Sequence, residues 1–380
     1  MKLLLLLLVF VPAAFAAELL HVAPVLVFWL SALAIVPLAG FLGQATEELS
    51  SYTGPTLGGL LNATLGNLAE LIIALIALRA GLVELVKASI TGSILGNLLL
   101  VLGAAQLAGG LRHKVQRFSV ALAGLSIALL VVAVIGLVIP ALFHATHVDP
   151  TRELTRNVSI GVAALLIAGY GLSLLYTMGT HRAVFGATHE LHELHEVHEV
   201  HEVHELHELH ELHELHELHE VHETDHPQRW SRRRSIVVLL VSAALVGGLS
   251  EILVGSTEAA IQHLGMSELF VGLIIIPIIG NAAEHSSAVL MAMKGRMDLA
   301  VSIAVGSSEQ VALLIAPVLV FVGLALGQPM DLAFSAFEVV SVALAVAVAT
   351  AVMLDAESNW LEGAFLLLVY GMLAVAFFYY

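Results

Sequence analysis

The sequence predicts an all-α polytopic membrane protein with about 11 transmembrane helices: one N-terminal helix followed by two inverted repeats of five helices each. Three observations lead to this prediction, namely an apolar composition, long apolar segments and an internal repeat. Of the 380 residues, 59% are hydrophobic and only 12% are charged, and the mean hydropathy is +0.94. These values lie far outside the range of soluble globular domains. We therefore expect an integral membrane protein whose partner is the lipid bilayer, rather than an enzyme or a nucleic-acid-binding protein.

Apolar segments of roughly 18 or more residues, the length needed to cross a hydrocarbon core, recur everywhere except in the middle of the chain. The expected spans are residues 2–20, 22–43, 55–79, 84–109, 117–143, 159–179, 235–263, 267–293, 298–326, 334–354 and 360–380. The first segment, MKLLLLLLVFVPAAFA, also has the features of a secretory signal peptide. We favour a retained helix because the next apolar run follows almost immediately.

The distribution of Lys and Arg predicts the orientation. If the long polar segment between the sixth and seventh spans is cytoplasmic, 11 of these residues lie on that side and 4 on the other. The cytoplasmic set is Lys2, Arg112, Lys114, Arg117, Arg182, Arg229, Arg232, Arg233, Arg234, Lys294 and Arg296. The opposite set is Arg79, Lys87, Arg152 and Arg156. Because short cytoplasmic loops are enriched in cations, we expect the N-terminus inside a prokaryotic cell membrane and the C-terminus outside.

The two halves of the chain repeat each other at an offset of 214 residues. From position 66 onward, the residues that recur are Gly66, Asn67, Ala69, Glu70, Ala74, Gly81, Leu85, Gly92 and Ser93. Each unit holds five spans, an odd number, so the second must enter the membrane from the opposite side. This inverted repeat is typical of secondary transporters. The predicted divisions are an N-terminal helix (1–21), a first repeat (22–180), an acidic His/Glu-rich cytoplasmic linker (181–234) and a second repeat (235–380).

The repeated motif places a glycine, an asparagine and a glutamate within each of two apolar spans. These residues are Gly66, Asn67 and Glu70 in the first repeat and Gly280, Asn281 and Glu284 in the second. A carboxylate near the bilayer centre costs roughly 3 kcal/mol on insertion scales, so it persists mainly beside a cavity, a partner or an ion. The asparagines lie on the same helical face as the glutamates. Since the chain has no cysteine, such oxygens predict a hard-cation site that suits Ca²⁺.

A second polar set follows one helix after each glutamate. Ser93 and Asn97 in TGSILGN, and Ser307 and Gln310 in VGSSEQ, share a helical face within each pair. They line the site if the glutamates do, although hydrogen bonding between helices is the alternative. His285 is adjacent to Glu284, and imidazole is suited to proton handling. A packing role is the alternative for this histidine.

These segments resemble a known family. GNLAELIIALIALRAG...SITGSILGN and GNAAEHSSAVLMAMKGRMDLAVSIAVGSSEQ are similar to the two signature repeats of the Ca²⁺/cation–H⁺ antiporters, the CAX branch of the cation/Ca²⁺ exchanger superfamily. The resemblance covers almost the whole chain. It implies that Glu70 and Glu284 bind cation and proton in alternation, with Asn67, Asn281, Ser93, Ser307 and Gln310 assisting and His285 close by. It also implies that Glu47 and Glu251 lie on gating helices, where they pass cations to the site.

Several residues keep two interpretations. A structural pair of protonated acids is the alternative for Glu70 and Glu284, and a solvated helix end is the alternative for Glu47 and Glu251. Glu309 stands where the family usually has an apolar residue. It is either a third buried acid or faces water.

The linker contains a strict triplet repeat from His189 to Glu223 with twelve His and twelve Glu, which carries most of the net charge of −16. It is either an acidic spacer or a transition-metal tract. The sequence as a whole predicts a proton-coupled Ca²⁺ exporter whose substrates are Ca²⁺ and H⁺. We expect no cofactor, and a homo-oligomer is possible. The alternatives are a Na⁺-coupled Ca²⁺ exchanger, which typically carries a proline in the motif, and a passive channel or metal sensor.

Overall fold

The computed structural model describes residues 2–53, 58, 61–62, 64–181 and 230–380. The His/Glu tract and nearly all of the predicted linker lie outside the described residues. The helices are α1 (Lys2–Leu7), α2 (Phe10–Leu19), α3 (Pro24–Ser51), α4 (Leu68–Arg79), α5 (Val83–Arg112), α6 (Val120–Thr146), α7 (Glu153–Thr180), α8 (Arg232–Leu264), α9 (Glu268–Gly280), α10 (Ala282–Met293), α11 (Met297–Ala325), α12 (Ala336–Met353) and α13 (Trp360–Tyr379). Two short strands, β1 (Gln116–Arg117) and β2 (Glu357–Ser358), pair antiparallel.

Within the described ranges, 8 helices are long and apolar enough to cross a membrane: α3, α5, α6, α7, α8, α11, α12 and α13. Helices α9 and α10 form a further candidate span, bent by 63° at its break. The first expected span corresponds to α1 and α2, whose apolar part, Leu5–Leu19, is shorter than a full span. The third corresponds to α4 and the residues before it, which are described only in part. This polytopic all-helical architecture confirms the predicted fold class, and eleven spans are compatible with it.

The 214-residue offset of the sequence reappears in the helix boundaries. Helices α4 and α10 begin 214 positions apart and also end 214 positions apart, and α5 and α11 begin 214 positions apart. Both α5 and α11 contain a π-helical turn at matching positions, Gly96–Val101 and Val311–Ile315. The two repeats therefore share this backbone irregularity as well as their motifs.

Local sequence explains where several helices begin. Ser335 and Glu338 form a reciprocal capping box at the start of α12, and Asn359 and Glu362 do the same for α13. Such caps pair backbone amides that have no partner within the helix. Helix α3 is longer than expected: it continues through Ser51 rather than ending near residue 43, so the acids near its end lie within the helix.

One end of the bundle, which we call the Trp230 end, joins the C-terminus of α3 to the N-terminus of α8. Tyr52 Oη donates a hydrogen bond of 2.5 Å to Trp230 O, and Trp230 N donates to Glu48 Oε2 at 3.3 Å. The Arg234 guanidinium lies 4.6 Å from the centre of the Trp230 indole ring. Strands β1 and β2 lie at the same end because the spans alternate in direction. These contacts agree with an alternating path of the chain.

The opposite end, which we call the Lys87 end, contains a buried ion pair that the sequence did not predict. Lys87 Nζ lies 2.5 Å from Asp331 Oδ1 and donates a hydrogen bond of 3.2 Å to Ala333 O. Arg152 Nη1 lies 3.5 Å from the other oxygen of Asp331. The Lys87 side chain is only 2% exposed. Lys87 is therefore a buried partner of Asp331 rather than an exposed cation.

Candidate functional site

The chain changes direction at both Gly–Asn pairs of the repeated motif. Gly66 and Asn67 form a turn directly before α4, and Asn281 separates α9 from α10. Glu70 and Glu284 are each the third residue of the helix that follows, in its first turn. The break thus places each carboxylate at the N-terminus of a half-helix, where the positive end of the helix dipole favours negative charge.

Each glycine of the motif lies against the glutamate of the other repeat. A methyl group added at Gly66 would lie 3.9 Å from Glu284 Oε1 and 3.5 Å from Gln310 Oε1. A methyl group added at Gly280 would lie 3.3 Å from Glu70 Cγ. The backbone at both glycines is thus approached closely, which brings the two repeats together around their carboxylates.

Asn67 is tied to the second repeat through both ends of its amide. Its Nδ2 donates to Gln310 Oε1 at 2.8 Å, and its Oδ1 accepts from Ser307 Oγ at 2.9 Å. Asn97 Nδ2 in turn donates to Ser307 Oγ at 2.9 Å. The structure thus brings these four predicted residues into one hydrogen-bonded chain that links α5, α11 and the break before α4.

Asn281, the counterpart of Asn67, is held much less tightly. Its Nδ2 donates to Ser93 Oγ at 3.4 Å, and its Oδ1 is buried without a described hydrogen-bond partner. Next to this serine, a methyl group added at Gly92 would overlap the backbone of Leu273, so only glycine permits α9 to pack this closely on α5. The two asparagines are symmetric in sequence but have different hydrogen-bond environments.

Several polar atoms of the site are buried without a hydrogen-bond partner in the described part of the chain. They are Glu70 Oε1, Glu284 Oε2, Asn281 Oδ1 and His285 Nε2. Leaving a buried polar group unpaired costs about 1–3 kcal/mol, and more when the group is charged. Unpaired groups in a native structure therefore call for a bound ion, a proton or water. Three of these four atoms are oxygens, which are the ligands that hard cations prefer.

In the part of the chain that the structure describes, no basic side chain forms an ion pair with Glu70 or Glu284. The ion pairs found among the described residues involve only Lys87, Arg117 and Arg152 as cations. Glu70 Oε1 and Glu284 Oε2 also have no hydrogen-bond partner among the described residues. Among the described residues, no group of three or more His, Asp or Glu could hold a metal. A cation here would need neutral oxygens in addition to the two carboxylates.

Glu309 is buried, which decides between the two interpretations of the sequence. Its residue is 9% exposed and its Oε1 has no described hydrogen-bond partner. The carboxyl lies beside Ser126 of α6 and near Tyr170 of α7. Neighbouring helical residues point about 100° apart, and Gln310 is the one that contacts Asn67. Glu309 is thus a third buried acid that faces peripheral helices.

Glu47 and Glu251 lie on α3 and α8, two helices that pack along each other. Both are exposed, and neither is tied to another described residue by an ion pair. No hydrogen bond or ion pair among the described residues links either of them to Glu70 or Glu284, and a gating role stays a prediction. Sequence reasoning gave no role to Thr46, which lies on α3 beside Glu47. Its hydroxyl is buried and has no hydrogen-bond partner among the described residues. Its only signal was its position next to Glu47.

Comparison with known proteins identifies the family. The family described as "Sodium/calcium exchanger protein" matches residues 23–179 and 234–379, which is most of the chain. This chain belongs to that family. The exchanger family includes the CAX branch that the motifs indicated, and the resemblance inferred from sequence is thereby confirmed.

Individual members of the exchanger family resemble the chain over its full length. The "Ca(2+)/H(+) antiporter" of Synechocystis sp. is 46% identical over 100% of this chain and 98% of its own. The "Ca(2+)/H(+) antiporter ChaA" of Bacillus subtilis is 38% identical over 97% and 96%. The crystal structure of the Ca²⁺/H⁺ antiporter protein YfkE superposes with a TM-score of 0.78 at 35% identity and covers 100% of both chains.

Proposed function

We propose that this member of the exchanger family is a Ca²⁺/H⁺ antiporter that binds Ca²⁺ and protons in alternation at Glu70 and Glu284. The observation that carries the proposal is the pair of buried carboxylates with unpaired oxygens, one per repeat, each packed against the break of the other. The names of the Synechocystis and Bacillus relatives support the choice of ions.

The donor atoms suit a hard divalent cation. Ca²⁺ takes six to eight oxygen ligands in flexible geometry, and two carboxylates supply up to four of them. Asn281 Oδ1 is a further unpaired oxygen in the same region. We propose that backbone carbonyls at the helix breaks near Gly66 and Gly280 complete such a shell. The residues that we propose to hold and orient these ligands are Asn67, Ser93, Asn97, Ser307 and Gln310.

Charge balance explains how one site can exchange the two ions. Two ionised carboxylates carry two negative charges, and either one Ca²⁺ or two protons neutralise them. Because an uncompensated charge within the membrane is costly, the empty and doubly ionised pair of carboxylates is disfavoured. The site therefore changes access with either one Ca²⁺ or two protons bound. His285, which follows Glu284 and has a buried unpaired Nε2, is proposed to help protons reach and leave the pair.

We further propose that movement of α3 and α8 alternates access, with Glu47 and Glu251 on the cation pathway. In this arrangement the linker and the Trp230 end are cytoplasmic, the C-terminus is outside, and the chain lies in a prokaryotic cell membrane. The excess of cations in the predicted cytoplasmic segments supports this orientation. The four predicted divisions of the chain, with boundaries at residues 21, 180 and 234, follow from the same topology.

The test is ⁴⁵Ca²⁺ uptake by proteoliposomes under an imposed pH gradient, with and without Na⁺. Glu70→Gln and Glu284→Gln should each eliminate uptake, because the amide keeps size and hydrogen bonding but cannot carry charge. Glu309→Gln is the matched control: it changes another buried acid in the same way but outside the site, and it should leave uptake largely intact. Near wild-type uptake by either Glu70→Gln or Glu284→Gln would show that these residues do not form the transport site. Uptake driven by Na⁺ and indifferent to pH would favour the Na⁺-coupled alternative.

A further inference from the structure

Two loops meet at the Trp230 end of the bundle: the segment after α5 and the turn between α10 and α11. His113 Nε2 lies 3.3 Å from Met293 O, and Gln116 Nε2 donates a hydrogen bond of 2.8 Å to Ala292 O. Gly295, with a positive φ of 77°, brings the turn close to the His113 ring. The two loops therefore form one continuous surface.

This surface carries four cations that no described acid neutralises. Arg112 and Lys114 come from the first loop, and Lys294 and Arg296 come from the second. We call these four residues the basic patch. Three of them are exposed and Arg296 is half-buried, and none forms an ion pair with a described residue.

The nearest acids on these loops are already engaged. Glu357 pairs with Arg117 at 3.0 Å, and Asp298 Oδ1 accepts a hydrogen bond of 2.6 Å from Ser119 N. Both acids thus have partners other than the four cations of the basic patch.

The inverted repeat supplies an internal comparison at the other end of the bundle. There Gly81, the counterpart of Gly295, lies against Gln328 in an equivalent meeting of two turns, with a positive φ of 82°. The positions that correspond to the basic patch are Leu326, Gln328, Ala80 and Leu82, and all four are neutral. The same loop contact forms with neutral residues at these four positions, so packing of the two loops does not require the basic patch.

The length of α5 places the basic patch at the level of the lipid headgroups. This helix has 30 residues, which corresponds to about 45 Å at 1.5 Å per residue. A bilayer with its headgroup regions is about 40–45 Å thick. Arg112 is the last residue of α5, and Lys294 directly follows α10, so both lie where lipid phosphates lie. Clusters of Lys and Arg at this level attract anionic lipids.

We propose that the basic patch binds the headgroups of anionic phospholipids in the leaflet at the Trp230 end. Lipid phosphates there neutralise both loops at once and bridge the end of α5 to the end of α10. Because α10 carries Glu284 at its other end, bound lipid steadies the helix that holds half of the central site. The proposal concerns lipid binding and does not depend on which ions the protein transports.

The test is direct binding of phosphatidylglycerol to the detergent-purified full chain, measured by native mass spectrometry and by the rise in thermal stability on lipid addition. Phosphatidylcholine serves as the neutral reference lipid. The quadruple variant R112Q/K114Q/K294Q/R296Q should bind phosphatidylglycerol at least about tenfold more weakly than wild type, since each cation near an anionic surface contributes to binding. Its binding of phosphatidylcholine should not change.

A pair of double variants keeps the test decisive if the quadruple variant does not fold. K114Q/K294Q removes one cation from each loop of the basic patch and should weaken phosphatidylglycerol binding several-fold. R79Q/R156Q removes two cations from the Lys87 end that also lack a described ion pair, and it should have little effect. Equal loss in both double variants would overturn the proposal, because binding would then follow net charge alone.

The alternative to lipid is that the acidic His/Glu tract binds the basic patch. Deletion of residues 189–223 distinguishes the two. If the lipid proposal is right, the deletion variant binds phosphatidylglycerol as wild type does. If lipid binding that depends on the basic patch arises only after the deletion, the tract occupies the patch and the proposal is wrong.

Discussion

Asp331→Asn should destabilise the protein strongly, because it leaves the Lys87 ammonium buried with little compensation. The remaining partners of the ammonium would be Ala333 O at 3.2 Å and Glu84 at 3.9 Å, and the Glu84 side chain is 68% exposed. Removing one partner of a buried ion pair typically costs about 3–5 kcal/mol. We expect a loss in that range.

The complementary substitution should cost less. In Lys87→Met, the Asp331 carboxylate keeps the backbone amide of Ala333 at 3.1 Å and Arg152 at 3.5 Å. We therefore expect a loss of about 1–3 kcal/mol, the cost of one unsatisfied buried partner. The double variant K87M/D331N should be more stable than Asp331→Asn alone, because it contains no buried ammonium.

The assay is reversible unfolding in mixed micelles, with wild type, both single variants and the double variant forming a thermodynamic cycle. Glu357→Gln is the control, since it breaks the Arg117–Glu357 pair, whose side chains are 81% and 44% exposed. Exposed pairs contribute about 0–1 kcal/mol. If Asp331→Asn costs no more than Glu357→Gln, the reasoning from burial fails.

Three further predictions concern transport and packing. Raising the pH should strengthen Ca²⁺ binding, and binding should release protons into weakly buffered solution. Calorimetry in buffers of different ionisation enthalpy measures this release, and pH-independent binding would contradict competition of Ca²⁺ and protons for one site. Replacing residues 189–223 with a flexible spacer should leave exchange intact while removing weak Zn²⁺ binding, so complete loss of exchange in a correctly inserted variant would show an essential role for the tract. Gly92→Val should prevent α9 from packing on α5, because its side chain would overlap the Leu273 backbone; normal thermal stability and transport in this variant would refute the close approach.

The sequence predicted the parts of the structure that depend on periodicity and on rare residues. Long apolar runs located most spans, whereas the helix breaks at the two Gly–Asn–x–x–Glu motifs were not predicted and appear only in the structure. Acids and amides are so costly within a membrane that their mere presence indicated a shared site. The contacts from Asn67 to Ser307 and Gln310 agree with that expectation.

The sequence could not predict features that depend on partners distant in the chain. Lys87 has the sequence environment of a loop cation, and only the fold reveals that Asp331 is its neighbour, 244 positions away. The unequal hydrogen bonding of Asn67 and Asn281 also depends on a distant partner, because Asn67 donates to Gln310, whose counterpart in the first repeat is Gly96 and has no side chain to accept the bond. The direction in which the Glu309 side chain points depends on how α11 is rotated about its axis. A single acid at a position that is usually apolar does not specify that rotation.

The paired π-helical turns in α5 and α11 bear on the history of the chain. A π turn is the usual result of inserting one residue into an α-helix, which bulges locally while the helix continues on either side. Here the bulge lies beside the polar pair of each repeat at nearly matching positions: it begins directly after Gln310 in one copy and at Gly96, one residue before Asn97, in the other. A single insertion in an ancestral half-length gene, followed by duplication of that gene, accounts for both bulges with one event, whereas insertion after duplication requires the same accident twice.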